Sequence, residues 1–323
     1  MMVWVKRISL LILTLAIFIV GVTYLFWMPS PQEAPYQLVK TWGGKGEKPG
    51  QFNEPTGIAL AGNEIFVSDS RNTRIQVFDL DGNFKRMFGE QGDAPGQLNR
   101  PMNLTIAGDE LYVAEFFNDR IQVYRLDGKF RRSIGKAGSA SGEMSAPGGV
   151  AVNADGELFV ADFFNQRVQQ LAADGRFIRQ WGTTKKTGVL DGRLNYPTDV
   201  AINNEGVLYI ADGYNDRILA FGPDGELLHR WGGPFAMNIF GPFNGWFATV
   251  TGISIGPHGD VFVADFYNDR VQKFSAEGEF INAFGIESTA PTHTAIAVVE
   301  ADDGSVFVAD YANHQVQKWQ PGE

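Results

Sequence analysis

Six copies of one phrase constrain this chain more than any other feature. They read SDSRNTRIQVF from Ser68, AEFFNDRIQVY from Ala114, ADFFNQRVQQL from Ala161, ADGYNDRILAF from Ala211, ADFYNDRVQKF from Ala264 and ADYANHQVQKW from Ala309. The acidic position falls at Asp69, Glu115, Asp162, Asp212, Asp265 and Asp310, at intervals of 46, 47, 50, 53 and 45 residues. A unit of this length built from short strands cannot bury its own faces. Repeated around an axis, it makes the blades of a propeller.

The third copy shows the strands of one blade. GGVAV (148–152) reads as strand a, ELFVAD (157–162) as b, RVQQL (167–171) as c and RFIRQWG (176–182) as d. An x-Asp-Gly turn before strand d recurs at Asp81-Gly82, Asp127-Gly128, Asp174-Gly175 and Asp224-Gly225, with Glu277-Gly278 in the fifth copy. Gly supplies the positive φ of a tight hairpin. Strand a carries small residues, which suits blades converging on an axis. Strand d ends in Phe or Trp and then Gly, which suits blades that diverge at the rim. The sixth copy stops after strand c, and Tyr36–Gly43 has the strand d pattern. The expected fold class is therefore all-β: a six-bladed β-propeller over residues 36–323, closed by an N-terminal strand and preceded by one transmembrane helix.

That helix is expected from Lys6-Arg7 followed by residues 8–28, which carry no charge. As a helix this run would be about 31 Å long, close to the hydrocarbon thickness of a bilayer. Tyr24 and Trp27 suit an interfacial belt, and the preceding basic pair predicts a cytoplasmic N-terminus. A cleaved signal peptide is the rival, but the run is long and ends in Phe26-Trp27-Met28-Pro29, a poor cleavage site. The expectation is a single-pass protein of the bacterial inner (cytoplasmic) membrane with its propeller on the periplasmic side. Residues 29–35 would be a short stiff spacer of at most about 25 Å. Because Tyr36 begins a strand d, the spacer should hold the face of the c–d turns near the bilayer and point the opposite face away.

Net charge is −10. Without residues 1–35, 25 basic residues face 36 acidic ones, giving −11, so a nucleic-acid backbone would be repelled. There is no Cys, which excludes disulfides, Cys-ligated zinc and lipidation on Cys.

The phrase D-x-x-N-x-R-[IV]-Q, its following x-D-G turn and the F/W-G strand end resemble the NHL repeat, over the whole of 36–323. Glu115, Leu219 and Gln315 depart from it. The resemblance implies exported sensors, an amidating lyase, RNA-binding domains and anchored proteins as alternatives, and fold alone does not choose among them.

The six acids, five of them followed five residues later by Arg74, Arg120, Arg167, Arg217 or Arg270, read as a structural ion pair that pins the b–c loop. The lyase of the family holds zinc with several histidines near its channel. Here only His293 is placed for that, and a zinc site needs about three ligands, so no metal is assigned. Asn103 and Asp199 fall where other blades carry Gly or Ala at the channel. They are too few for a calcium shell by themselves, so Ca²⁺ in the channel is a minor expectation and no cofactor is assigned.

More distinctive are aromatics between the acid and the Asn: Phe116-Phe117, Phe163-Phe164, Tyr214, Phe266-Tyr267 and Tyr311. The long d–a connection 234–250, with Phe243, Trp246 and Phe247, should join them on one face. Phe117, Phe164, Tyr214 and Tyr267 are expected to be the exposed set. The expected function is a membrane-tethered scaffold binding a protein, peptide or glycan on this face. The alternative is a metal-assisted hydrolase, lactonase or lyase in the channel.

Overall fold

The computed structural model describes residues 13–18, 21, 28–190, 192–285 and 294–322. Six antiparallel four-stranded sheets are arranged so that the innermost strand of each contacts its counterparts in the neighbouring sheets. Blade one, for example, comprises Pro55–Ala61, Glu64–Asp69, Arg74–Asp79 and Phe84–Phe88. Blade six takes three strands from the end of the chain and its outer strand, Tyr36–Gly43, from the start. Tyr36 pairs with Pro321 and Gly43 with Gln315, so the ring closes as expected.

The core lies between blades. Trp231, at the outer edge of blade four, packs on Tyr209 of its own blade and on Phe274 of blade five. Trp181 likewise meets Phe159 and, across the joint, Phe221. The glycine of the turn before strand d serves this packing as well as the hairpin. Gly278 has φ +90°, and a Cβ there would lie 2.5 Å from the Trp231 ring. Near the axis, a Cβ on Gly252 would lie 2.5 Å from the Ile296 carbonyl of the next blade, which explains the small residues of strand a.

Residues 13–18 are helical. Among the described residues no helix is long and apolar enough to cross a membrane, and most of the expected span 8–28 lies outside them.

The spacer departs from expectation. It is bound along blade five rather than standing free. Gln32 donates its backbone N–H to Ile281 O and its amide to Phe280 O. Glu33 pairs with Lys273 at 2.9 Å, and Asn282 holds Ala34 O. Asn244 donates to Pro29 O at 3.0 Å. The apolar run therefore ends against the 234–250 connection, not at the face of the c–d turns. A Pro-rich composition read as a stiff spacer could not reveal these partners, because they lie more than 200 residues away in sequence.

Candidate functional site

The acid of the repeated phrase organises each blade. In blade three, Asp162 accepts from Ser145 N, Asn165 Nδ2, Arg167 Nε and Gln169 Nε2, all within 3.1 Å. Asn165 also reaches Gly138 O, Arg167 reaches Ala140 O and Glu143 O, and Gln169 reaches Glu143 O. The same pattern joins Asp69 to Arg74, Glu115 to Arg120, Asp212 to Arg217 and Asp265 to Arg270. In blade six Gln315 takes the place of Arg and donates to Asp310 at 2.8 Å. The expected ion pair to the b–c loop is joined by a second set of contacts: the side chains grip the preceding d–a connection, 138–145 in blade three, as much as the b–c loop. The reason is that Arg and Gln project from strand c towards that connection, whose carbonyls lack a strand partner. Burial pushes the Asp265 carboxyl up to about 6 against the Arg270 charge and the Ala248 N–H. The desolvation cost is thus not fully offset, and the pair sets geometry more than it adds stability.

A second repeated role lies one residue after the Asn. Thr73, Asp119, Gln166, Asp216, Asp269 and His314 all take left-handed φ, between +51° and +60°. Five of these side chains reach the next blade. Asp119 accepts from Ala146 N, Gln166 from Tyr196 N, Asp216 from Thr249 N, Asp269 from Thr294 Oγ1 and His314 Nδ1 from Glu54 N. The sequence carried a signal for this joint, since all five can accept a hydrogen bond.

Where the b–c loops and d–a connections meet, aromatic rings border the channel mouth. Phe117, Phe116, Phe163, Tyr196 and Tyr214 form a chain of rings with successive centroids 4.8–5.9 Å apart. A second group of rings on the same funnel joins Phe266 to Tyr267 and Tyr311. The rings flank a funnel of about 190 Å³ lined by Phe116, Phe163, Tyr214, Phe266, Tyr267 and the strand a threonines Thr56, Thr198 and Thr251. Phe117, Phe164, Tyr214 and Tyr267 are exposed, as the order of residues in the phrase predicted. Their neighbours Phe116, Phe163 and Phe266 are half-buried and line the funnel rather than join the core. Tyr196 was missed because it stands before strand a, outside the repeated phrase.

Other expected residues divide. Phe243 is exposed, and Trp246 is half-buried with its ring 5.1 Å from that of Phe243. Phe247 is fully buried against Phe274 between blades four and five, so its place among surface residues is corrected. An apolar connection must still close its own joint, and Phe247 is the residue that does so. Tyr311 is half-buried and bonds to Glu54, in a charged sector with Arg71 and Arg100. His293 lies outside the described residues.

Asn103 and Asp199 meet across the channel, the Asn103 amide donating to Asp199 Oδ2. That oxygen also accepts from Ile253 N at 3.0 Å. The contact passes over Gly149, where a Cβ would collide with Asp199 Oδ1. Asn103 borders both the funnel and a chamber of about 710 Å³ on its far side, which Asp199 also lines. Burial pushes the Asp199 carboxyl up to about 7, opposed by the backbone N–H groups of Ile253 and Val200 and by Asn103. Among the described residues no three His, Cys, Asp or Glu side chains converge as metal ligands.

This ring of six four-stranded blades around a channel defines a six-bladed β-propeller. Its repeats match the NHL repeat model at residues 52–78, 144–171, 194–221 and 247–274, and the chain belongs with the NHL-repeat propellers. The two unmatched blades are those in which Glu115 and Gln315 replace the usual Asp and Arg. Among curated proteins, the chain is 50% identical over 48 residues to Protein brain tumor of Drosophila melanogaster and 51% identical over 45 residues to the B-box type zinc finger protein ncl-1 of Caenorhabditis elegans. Each match covers 14–15% of this chain and 5% of the relative. A Streptogramin B lyase structure superposes with TM-score 0.61 at 15% identity, covering 91% of this chain and all of that one. A Bacteroides thetaiotaomicron protein of unknown function gives 0.67 at 15% identity, over 88% of this chain and 75% of that one. The WD40 propeller domain of Doa1 gives 0.61 at 12% identity, over 90% and 98%. At these identities the likeness is one of fold.

Proposed function

We propose that this propeller is a membrane-tethered scaffold that binds a protein, peptide or glycan at its channel mouth. The observation that carries this reading is the crescent of rings from Phe117 to Tyr214. Phe117, Phe164 and Tyr214 on it, and Tyr267 across the mouth, remain exposed while their neighbours line a funnel. Aromatic side chains offer large contact area at low entropic cost, and a cluster of them at a concave mouth is a favoured contact surface. The charged sector of Arg71, Glu54 and Arg100 beside it would orient the partner, with Arg100 lying 5.7 Å over the Phe117 ring. The anchor is supported by the uncharged run 8–28, and the periplasmic side by the basic pair before it.

A photo-crosslinking residue at position 164, compared with one at exposed Ile178 on the outer strand of blade three, tests the mouth in membranes of the native host. Position 164 should give a discrete adduct that is lost when Phe117 and Tyr214 are changed to Ser, with melting unchanged. Equal labelling at 164 and 178 would sink the proposal.

A second reading takes support from Asp199, buried in the channel wall with its carboxyl held near neutrality. Groups of that kind suit proton exchange. Stoichiometric metal in the purified full chain, lost in Asp199→Ala, would favour channel chemistry over scaffolding.

A further inference from the structure

The d–a connection between blades four and five is unlike the others. Phe235 is 85% exposed and Phe240 71%, and Ile239 and Phe243 are exposed beside them. No Asp, Glu, Lys or Arg occurs between Arg230 and Asp260. Such an apolar cluster on a domain surface needs a covering partner. The chain itself indicates which one. Pro29, one residue beyond the uncharged run 8–28, is bound by Asn244 of this connection. With Trp231, Phe235 and Trp246 it lines a cavity of about 360 Å³. The bonds of Gln32, Glu33 and Ala34 to blade five fix this exit point.

We propose that residues 235–243 dock into the surface of the lipid bilayer, as a second contact beside the N-terminal anchor. The proposal rests on reading 8–28 as that anchor. A bilayer entered at Met28 lies within reach of Phe235 and Phe240, and the fixed exit removes the freedom that would let the connection turn away. Aromatic side chains on a connection that itself carries no charged residue seat about 5–10 Å into the headgroup and acyl boundary by apolar contact; of the cations beside it, Arg270 is already paired with Asp265 and Arg230 sits at the edge of the Phe235 cavity. The connection carries no basic residue and the chain is acidic overall, so neutral lipid suffices and anionic lipid adds nothing. The connection ends at Ala248 and Thr249, whose carbonyls accept from Tyr267 and Phe266 N–H. Docking therefore brings the blade five side of the channel mouth to the membrane, and a partner would approach along the bilayer surface.

The absence of Cys makes the test direct. Full-length protein with a single Cys at position 240, 13 or 178 is labelled with an environment-sensitive fluorophore and reconstituted into phosphatidylcholine vesicles that contain shallow acyl-chain spin labels. Severalfold quenching at 240 and at 13, but not at 178, is the expected result. It should be unchanged by added phosphatidylglycerol or by salt. A label at position 239 should lose its quenching in F235S/F240S, two exposed positions whose change leaves melting unaltered. Quenching at 13 without quenching at 240 overturns the docking and leaves the anchor intact. Quenching at 240 alone supports docking and removes the anchor. Quenching at neither removes both. A blue-shifted label at 240 that lipid does not quench assigns the cluster to a protein partner or a second copy, and overturns the proposal.

Discussion

At the scale of single residues, the repeated phrase does two kinds of work. Its acid, Asn and Arg hold a loop within each blade. The residue after the Asn ties one blade to the next, and at the closing joint that residue is His314. Its Nδ1 accepts from Glu54 N, so the bond needs an unprotonated ring nitrogen. Burial lowers its pKa below the ordinary 6.5, assisted by Lys45 and opposed by Glu54, Asp310 and Asp69. A lowered folded value means stability that is full above about pH 6.5 and lost as pH falls through the folded pKa. Exchanging His314 for Gln, as at position 166, should remove about 1 kcal/mol of that acid sensitivity, the worth of one such bond. Melting temperature followed from pH 7.5 to 5 checks this, and parallel curves for the two proteins would refute it. Asp199 works in the opposite sense. Its folded value is raised from 3.8 to about 7, so stability is highest below pH 4 and falls as pH rises towards 7. The shift corresponds to about 4 kcal/mol across that window. Asp199→Asn should therefore gain on the wild type from pH 4 to pH 7 and hold a constant margin above it, in denaturant titrations at each pH.

At the scale of elements, the sequence was legible where one strand has one role. The x-Asp-Gly turns, the small residues of strand a and the bulky ends of strand d all fell in place, because a blade repeats the same local problem six times. The completion of blade six by Tyr36–Gly43 was legible from counting strands. Removing residues 1–43 should leave the backbone edge of Gln315–Pro321 unpaired. The expected outcome is a broadened melt at lower temperature and concentration-dependent association on size exclusion. A sharp monomeric melt like that of the full chain would show that closure matters little. Loops were less legible. The 234–250 connection reads as a predominantly apolar, uncharged run, yet Phe247 is core, Trp246 is half-buried and Phe235 is on the surface. Composition cannot assign sides in a segment without periodicity.

For the whole molecule, the ring was determined by sequence alone. Its period, its six acids and its divided last blade leave one way to bury the faces and edges of 24 short strands. The candidate site was legible in part: alternate side chains of a tight loop point different ways, which separated Phe117 from Phe116 and Phe164 from Phe163. Three features were decided by the tertiary structure. Tyr196 joined the crescent because a d–a connection lies beside a b–c loop 18 residues further on. Asn103 and Asp199, 96 residues apart, met because a blade bearing glycine stands between theirs. The N-terminal segment came to rest on blade five, beside an apolar connection more than 200 residues away. The physical reason is common to all three. A repeat records what each blade needs for itself. Contacts between parts that do not repeat depend on where the closed ring brings them, and no local pattern in the sequence encodes that distance.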